Sequence, residues 1–169
     1  MKFCLRNVTS EDHQWLVELH NDPQVLVNLT HSHEISLETH MKWWASISQN
    51  DKEERLIFCV DDIRAGFVKF YNIDAHNRNC VLGADLHKDF RGKGLAKPMW
   101  SLMLSRCFEH YHLHRVSLTT AAYNHIAHKV YTSLGFQIEG QLKESLFRDN
   151  KYHDQICMYM LRENWVTNV

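Results

Sequence analysis

The sequence predicts an α+β fold: one domain over residues 1–169, with helices packed on a mixed, mostly antiparallel sheet. Three observations carry this. A chain of 169 residues can bury one sizeable core but not comfortably two. Hydrophobic residues make up 44% and charged residues 23%, the balance of a soluble globular protein. Strand-like and helical stretches follow in the order β-α-α-β-β-β-α-β-α-β-β, and no repeat, linker or low-complexity tract divides them.

Phe3 to Arg6 forms the first strand. Thr9-Ser10-Glu11-Asp12 reads as a capping box, with Thr9 as cap and Asp12 three residues on. The helix that follows runs to about His20 and buries Trp15, Leu16 and Leu19. Asn21-Asp22-Pro23 ends it, because proline restricts the residue before it. A second helix starts after Ser36, with Leu37, Met41 and Trp44 on one face at i, i+4, i+7. Arg55 to Val60 and Ile63 to Asn72 are strands joined by an Asp61-Asp62 turn. Cys80 to Leu86 is a further strand, after a polar turn at Ala75 to Arg78.

A helix from about Gly94 to Glu109 carries the stripe Leu95, Met99, Leu102, Met103 and Cys107. Pro98 sits near its first turn, where no intrahelical N–H is lost. Arg115 to Ala121 is a strand. Asn124 caps a short helix that Gly135 ends in a left-handed conformation. Phe136 to Ile138 and Tyr152 to Leu161 complete the sheet as antiparallel strands.

The bulk properties exclude several classes. A formal net charge of −1 provides no general field toward nucleic acid or an anionic membrane, and neither is expected as a partner. No apolar run is long enough to span a bilayer, and Met1-Lys2-Phe3-Cys4-Leu5-Arg6 lacks the apolar stretch of a secretory signal. The five cysteines are odd in number, scattered and without a Cys-x-x-Cys pair. They suit reduced thiols in the cytoplasm better than a disulfide frame or a thiolate zinc cage. His110, His112 and His114 alternate, as do His31 and His33. No Asp, Glu or Cys joins them at ligand spacing, so they read as solvated residues and no metal is expected.

The chemistry concentrates after the strand Cys80 to Leu86. A short connection, His87-Lys88-Asp89-Phe90, leads to Arg91-Gly92-Lys93-Gly94-Leu95-Ala96 at the start of a helix. Glycines let the backbone turn tightly and a ligand approach closely. Successive N–H groups then converge at the positive end of a helix dipole, where a pyrophosphate fits, and Arg91 and Lys93 add charge. A magnesium-binding phosphate loop needs Ser or Thr after Gly-Lys, but Gly94 follows Lys93. A dinucleotide fingerprint needs a third glycine where Lys97 stands, and a βαβ setting that is absent.

Arg91, Gly94 and Ala96 resemble the Arg/Gln-x-x-Gly-x-Gly/Ala coenzyme A motif of the GNAT acetyltransferases. Asn124 through Tyr131 to Leu134-Gly135-Phe136 is similar to that family's second signature, in the right order and at the right separation. The resemblance covers nearly the whole chain. It implies acetyl-CoA as co-substrate, held by Leu86, Arg91, Gly92, Lys93, Gly94, Leu95, Ala96 and Asn124. It also implies a V-shaped opening between the strands Cys80–Leu86 and Arg115–Ala121, in which the pantetheine arm lies. An acceptor amine would attack the thioester directly, with a backbone N–H near Gly83 to Leu86 polarising the carbonyl.

Such a reaction needs a neutral amine and a proton for the departing thiolate. Tyr131 lies seven residues after Asn124, two helical turns on, and matches the family's proton donor. By periodicity alone it belongs to the apolar stripe Ile126, Ala127, Val130, Tyr131 and Leu134. Asp85 is the candidate base, an acid in a strand interior on the face shared by Val81 and Gly83. A solvated strand-end carboxylate is the plainer reading. Glu144 is a second candidate, in a polar C-terminal region that otherwise reads as surface.

Leu19 to Val25, Ile35 to His40, Trp43-Trp44 and Arg148 to Asp154 resemble the subgroup that contains ribosomal-protein-alanine, spermidine and amino-sugar N-acetyltransferases. A peptide or protein N-terminal amine is the expected acceptor. An amino sugar follows, suited to Trp43, Trp44, His31, His33 and Asn28, and a polyamine comes after it because His31 to Glu34 contributes a single carboxylate. Assembly as a homodimer, and a non-enzymatic role as an acetyl-CoA sensor module, stay open.

Overall fold

The computed structural model describes residues 1–30 and 33–165; His31 lies outside them. One seven-stranded sheet organises the chain in the order β1-β2-β3-β4-β5-β7-β6. Its strands are β1 Phe3–Asn7, β2 Glu54–Val60, β3 Ile63–Asp74, β4 Asn79–Leu86, β5 Arg115–Ala121, β6 Gln137–Arg148 and β7 Lys151–Leu161. Every pairing is antiparallel except β4 with β5, and those two are joined through a helix, as parallel neighbours must be. The helices are α1 His13–Asn21, α2 Pro23–Leu26, α3 Leu37–Ile47, α4 Ala96–Ser105 and α5 His125–Leu134.

The strands' period of two sorts the core into two layers. Leu56, Phe58, Val68, Phe70, Cys80 and Leu82 face α4 and its apolar side chains Met99, Trp100, Met103 and Leu104. Ile57, Cys59 and Phe67 face the other way, onto Trp15, Leu16, Leu19 and Val25 of α1 and α2. Burial of Trp15, Leu16 and Leu19 is as the sequence predicts.

The start of α1 is pinned by a buried carboxylate. Asp12 accepts from the Thr9 N–H at 2.8 Å and its hydroxyl at 3.0 Å, and from both Arg6 guanidinium nitrogens at 2.7 and 2.9 Å. Arg64 adds a longer contact at 3.4 Å. The Arg6 bonds outweigh the cost of burial and hold the Asp12 carboxyl far below its ordinary range.

Helix α3 departs from its expected face. Ser36 caps it through Thr39 N–H at 3.1 Å, as the sequence implies, but Leu37 and Met41 are exposed. His40 points inward instead. Its ring is hydrogen-bonded to His13 at 3.0 Å, tilted beside Trp43 and stacked on Trp44. Burial, with His13 and His20 nearby, pushes His40 down to about 4, so it stays neutral. A polar pair satisfied inside the layer outranks the apolar stripe that periodicity picks out.

Three further differences concern element bounds. The turn after α1 is itself a four-residue helix, α2, with Pro23 at its first position and Asp22 capping Gln24 at 2.8 Å. Helix α4 begins two residues later than expected, and after Ser105 it widens into a π-helical turn whose Tyr111 N–H reaches the Arg106 carbonyl at 3.0 Å. The extra residue per turn keeps Cys107 and Phe108 buried. Strand β6 runs ten residues past Ile138, through two register shifts. Two-residue turns at Asp61-Asp62 and Asp149-Asn150 close the hairpins β2–β3 and β6–β7, all four residues at positive φ.

Candidate active site

Strands β4 and β5 part company early. Their ladder runs only from Asn79↔Arg115 to Val81↔Ser117. Beyond it β4 continues to Leu86 against β3, and β5 to Ala121 against β7. The sheet therefore opens as a V, its lips being Leu82–Leu86 and Leu118–Ala121. Unpaired main-chain edges there can bind an extended polar chain.

At the open end, the loop after β4 folds into the cradle expected from its glycines. Gly92 and Gly94 have φ of +70° and +75°, a region that side-chain-bearing residues rarely occupy, and nothing stands within 4 Å of a Cβ built on either. Helix α4 starts at Ala96 with no side-chain cap, so its first N–H groups are free for an anion. Arg91 does more than supply charge. Its Nε donates to the Leu86 carbonyl at 2.9 Å, and its Nη1 to Asp22 at 3.0 Å and Gln24 at 2.9 Å, tying the cradle to the α1–α2 turn. Its buried Nη2 has no partner. Lys93 stands over the Phe90 ring.

Helix α5 follows β5 and packs against α4. Asn124 caps it, accepting from Ala127 N–H at 3.2 Å, and Gly135 closes it at φ +98°, both as expected. Tyr131 is wedged edge-on between Trp100 and Phe136, with ring centroids at 4.9 and 5.9 Å. Burial raises its pKa above the ordinary tyrosine value, and the charge of Asp85 raises it further. The hydroxyl is thus held protonated within electrostatic reach of Asp85.

On the other face of the sheet lies a cavity of about 410 Å³, walled by α1, α3, the loop residues Leu29 and Thr30, and β2 to β4. Asp85 lines it, and is the one carboxylate among the described lining residues. It is paired with Lys69 at 2.5 Å. Burial has the largest single influence and pushes Lys69 down, but the charge and hydrogen bond of Asp85 together with Tyr71 raise the ammonium above its ordinary value. Arg55, directly across the ladder from Lys69, lies over the Tyr71 ring at 4.3 Å. A Cβ on Gly83 would come within 3.0 Å of the Tyr71 hydroxyl, so the glycine leaves room for that ring.

Residues 2–137 match the family model described as an acetyltransferase (GNAT) domain. The chain belongs to the GNAT acetyltransferase family. Its relatives include the prophage-derived N-acetyltransferase YokL of Bacillus subtilis, 28% identical over 87% of this chain and 84% of the relative. The L-amino acid N-acetyltransferase AaaT of Escherichia coli is 26% identical over 95% of this chain and 98% of the relative. The spermidine N(1)-acetyltransferase of E. coli is also 26% identical, over 69% of this chain and 63% of the relative. Among solved structures, spermidine N-acetyltransferase from Vibrio cholerae in complex with CoA and spermine superposes with a TM-score of 0.91 at 23% identity, each chain covered to 96%.

The GNAT fold gives the cradle and the V their use, because enzymes of this family take acetyl-CoA. The donor set fits that ligand: free N–H groups at α4, an unpartnered Arg91 Nη2, and an unpaired strand edge. Gly94→Val should lower acetyl-CoA affinity by more than about tenfold. The cause is conformational, since φ +75° costs a β-branched residue about 1–3 kcal/mol. Calorimetric titration on a variant shown to be folded would check this, and unchanged affinity would remove the cradle from the site.

Of the acid–base candidates, Asp85 stands on the β4 lip of the opening, and Tyr131 lies in α5 where the Asp85 charge acts on it. Glu144 does not join them: it is exposed on the irregular stretch of β6, at φ 50°, its N–H bound to Asp154 at 2.8 Å. Trp43 lines the cavity, whereas Trp44 packs with α1. His33 and Asn28 are exposed and lie outside the lining. Among the described residues no group of three His, Cys, Asp or Glu gathers at a metal-binding distance, and no helix is long and apolar enough to cross a membrane. Sequence reading missed Lys69, Arg55 and Tyr71. Their signal was available: a lysine between Val68 and Phe70, sharing a face with Phe67 and Tyr71.

Proposed function

We propose that this protein transfers the acetyl group of acetyl-CoA to a primary amine that enters the cavity beside Asp85. The observation that carries the reading is the juxtaposition of the V, the cradle and that cavity around one carboxylate and one protonated phenol. Bound acetyl-CoA would supply an activated acetyl group. Main-chain N–H groups of β4 bind the arm and polarise the carbonyl. Asp85 accepts the proton that the acceptor amine must lose. As the N–C bond forms and the C–S bond breaks, Tyr131 gives its hydroxyl proton to the sulfur.

The limited volume of the cavity supports a small amine over the folded-protein terminus that the subgroup resemblance suggests. A volume of about 410 Å³ lies in the range of small-molecule sites. The amino-acid and polyamine relatives bracket that class. Five free cysteines, three of them buried, support a cytoplasmic setting.

Thiol release from acetyl-CoA across a panel of amines tests the reading. In the presence of a suitable amine, Asp85→Asn should lose rate most at low pH, where little amine is already neutral, and recover as pH rises. An Asp85→Asn variant with the parent's profile would pass the proton role to water. Binding of acetyl-CoA without thiol release for any amine would leave a sensor module.

A further inference from the structure

Asn21-Asp22, at the junction of α1 and α2, belongs neither to the acid–base groups nor to the cavity lining. Both side chains nevertheless bind distant parts of the site. Asn21 holds the backbone of Ile35 from both sides: its Nδ2 donates to the Ile35 carbonyl at 2.9 Å, and its Oδ1 accepts the Ile35 N–H at 2.9 Å. Ile35 lines the cavity. Asp22 accepts from the Gln24 N–H at 2.8 Å, which caps α2, and from Arg91 Nη1 at 3.0 Å. The same nitrogen donates to Gln24 Oε1 at 2.9 Å, and Arg91 Nε holds the Leu86 carbonyl beside Asp85.

The Arg91–Asp22 pair is well shielded, its side chains 24% and 14% exposed. Burial works to raise the Asp22 carboxyl, but the Arg91 bond and charge, with the Gln24 and Val25 N–H groups, hold it below its ordinary value. The turn that it fixes lies between two groups of cavity residues. Leu16, Leu19 and His20 precede it, and Leu29 and Thr30 follow. The far end of α2 is also tied, because the Tyr123 hydroxyl, two residues beyond β5, donates to the Val27 carbonyl at 2.5 Å. Helix α2 is thus fastened to the chain just beyond each lip of the V.

The charge on Asp22 is not needed for the cap, since Asn caps a helix as well. It also stands beside a cradle for phosphates, where a carboxylate repels the ligand. Its use lies elsewhere. We propose that Asp22 is a positioning residue for the acetyl transfer: through Arg91 it locks the α1–α2 wall of the acceptor cavity to the coenzyme cradle. This rests on the proposed acetyl transfer and assigns a residue that sets where the amine sits relative to the thioester. A shift of about 1 Å in such a wall is enough to weaken a well-placed substrate severely.

Asp22→Asn keeps the cap and removes the ion pair. Two measurements should move in different directions. The KM of the amine should rise at least fivefold with kcat within about threefold, the pattern of lost binding rather than lost chemistry. Acetyl-CoA affinity, by calorimetric titration, should stay equal or tighten by up to about fivefold, because a repelling charge is gone while Leu86 and Gln24 still hold Arg91. The amine is the best used of spermidine, glucosamine, serine and an alanine-headed tetrapeptide. Gln24→Ala removes one neutral bond and leaves the charges, so it should raise KM less and leave acetyl-CoA affinity unchanged. General damage would weaken coenzyme and amine together, and that result in a folded Asp22→Asn protein overturns the proposal. Weaker acetyl-CoA binding with an unchanged amine KM overturns it too, by making Asp22 a part of the cradle alone. Parental values for both would leave the pair without a role in positioning. No thiol release with any amine, while acetyl-CoA still binds the parent, defeats the transfer reading and this one with it.

Discussion

Tyr131→Phe should cut turnover by about 10²–10⁴-fold while acetyl-CoA affinity stays within a factor of about two. The substitution keeps the ring between Trp100 and Phe136 and deletes the hydroxyl proposed as proton donor to the leaving sulfur. Without it, the thiolate must depart as an anion or wait for water. The pH dependence adds a second expectation. An acid catalyst works while protonated, and both burial and the Asp85 charge raise the pKa of Tyr131. Activity of the parent should therefore show no alkaline loss from this group below about pH 10. Single-turnover rates across pH, on parent and variant, measure both. Parental turnover in the variant would return Tyr131 to the core.

Asp12→Ala should destabilise the fold by about 3 kcal/mol, at the low end for breaking a buried ion pair because Arg6 is itself partly exposed. For a chain of this length the melting temperature should fall by about 6–12 °C. The loss has several parts at one point: two guanidinium bonds, the Thr9 cap and the Arg64 contact all end on this carboxylate. The sign with pH is fixed by the depressed pKa. Asp12 stabilises fully above the ordinary carboxylate range, about 4, and its contribution fades as pH falls below that. His40 acts earlier. Its folded pKa of about 4 lies below the ordinary value of 6.5, so stability declines as pH drops between those two values. Urea midpoints from pH 7 to pH 3 should show both slopes in the parent, and the variant should lack the more acidic one. A variant as stable as the parent would mean that Arg6 and Thr9 find other partners.

Most of the fold was legible because its strands alternate cleanly between two buried layers. Asp61-Asp62, Asn124 and Gly135 are local signals whose meaning does not depend on distant contacts, and each stands where expected. Strand β6 was foreshortened for a physical reason. From Glu139 onward it is an edge strand exposed on both faces save at Leu146 and the half-buried Gly140 and Arg148, so no hydrophobic period marks it. The inward turn of His40 was equally unreadable, since it depends on His13, 27 residues away.

The candidate site divides in the same way. The cradle is contiguous in sequence, and its glycines announce themselves through backbone conformation. The cavity is assembled from β2, β3, β4, α1 and α3, and only strand register places Arg55, Lys69 and Asp85 side by side. A strand period indicates which face a charge takes, but not which charge it will meet.

The hairpin turns bear on how the chain tolerates change. Asp62, Asn150 and, in the turn before β4, Arg78 hold left-handed backbone at φ 66°, 59° and 52°. Glycine would adopt these angles without the steric penalty that Arg78 in particular carries. None of the three lines the cavity or belongs to the cradle. The protein thus keeps a reserve of stability at its periphery, on the order of 1 kcal/mol per turn. Glycine at any one of these turns should therefore raise the melting temperature without touching the cavity or the cradle.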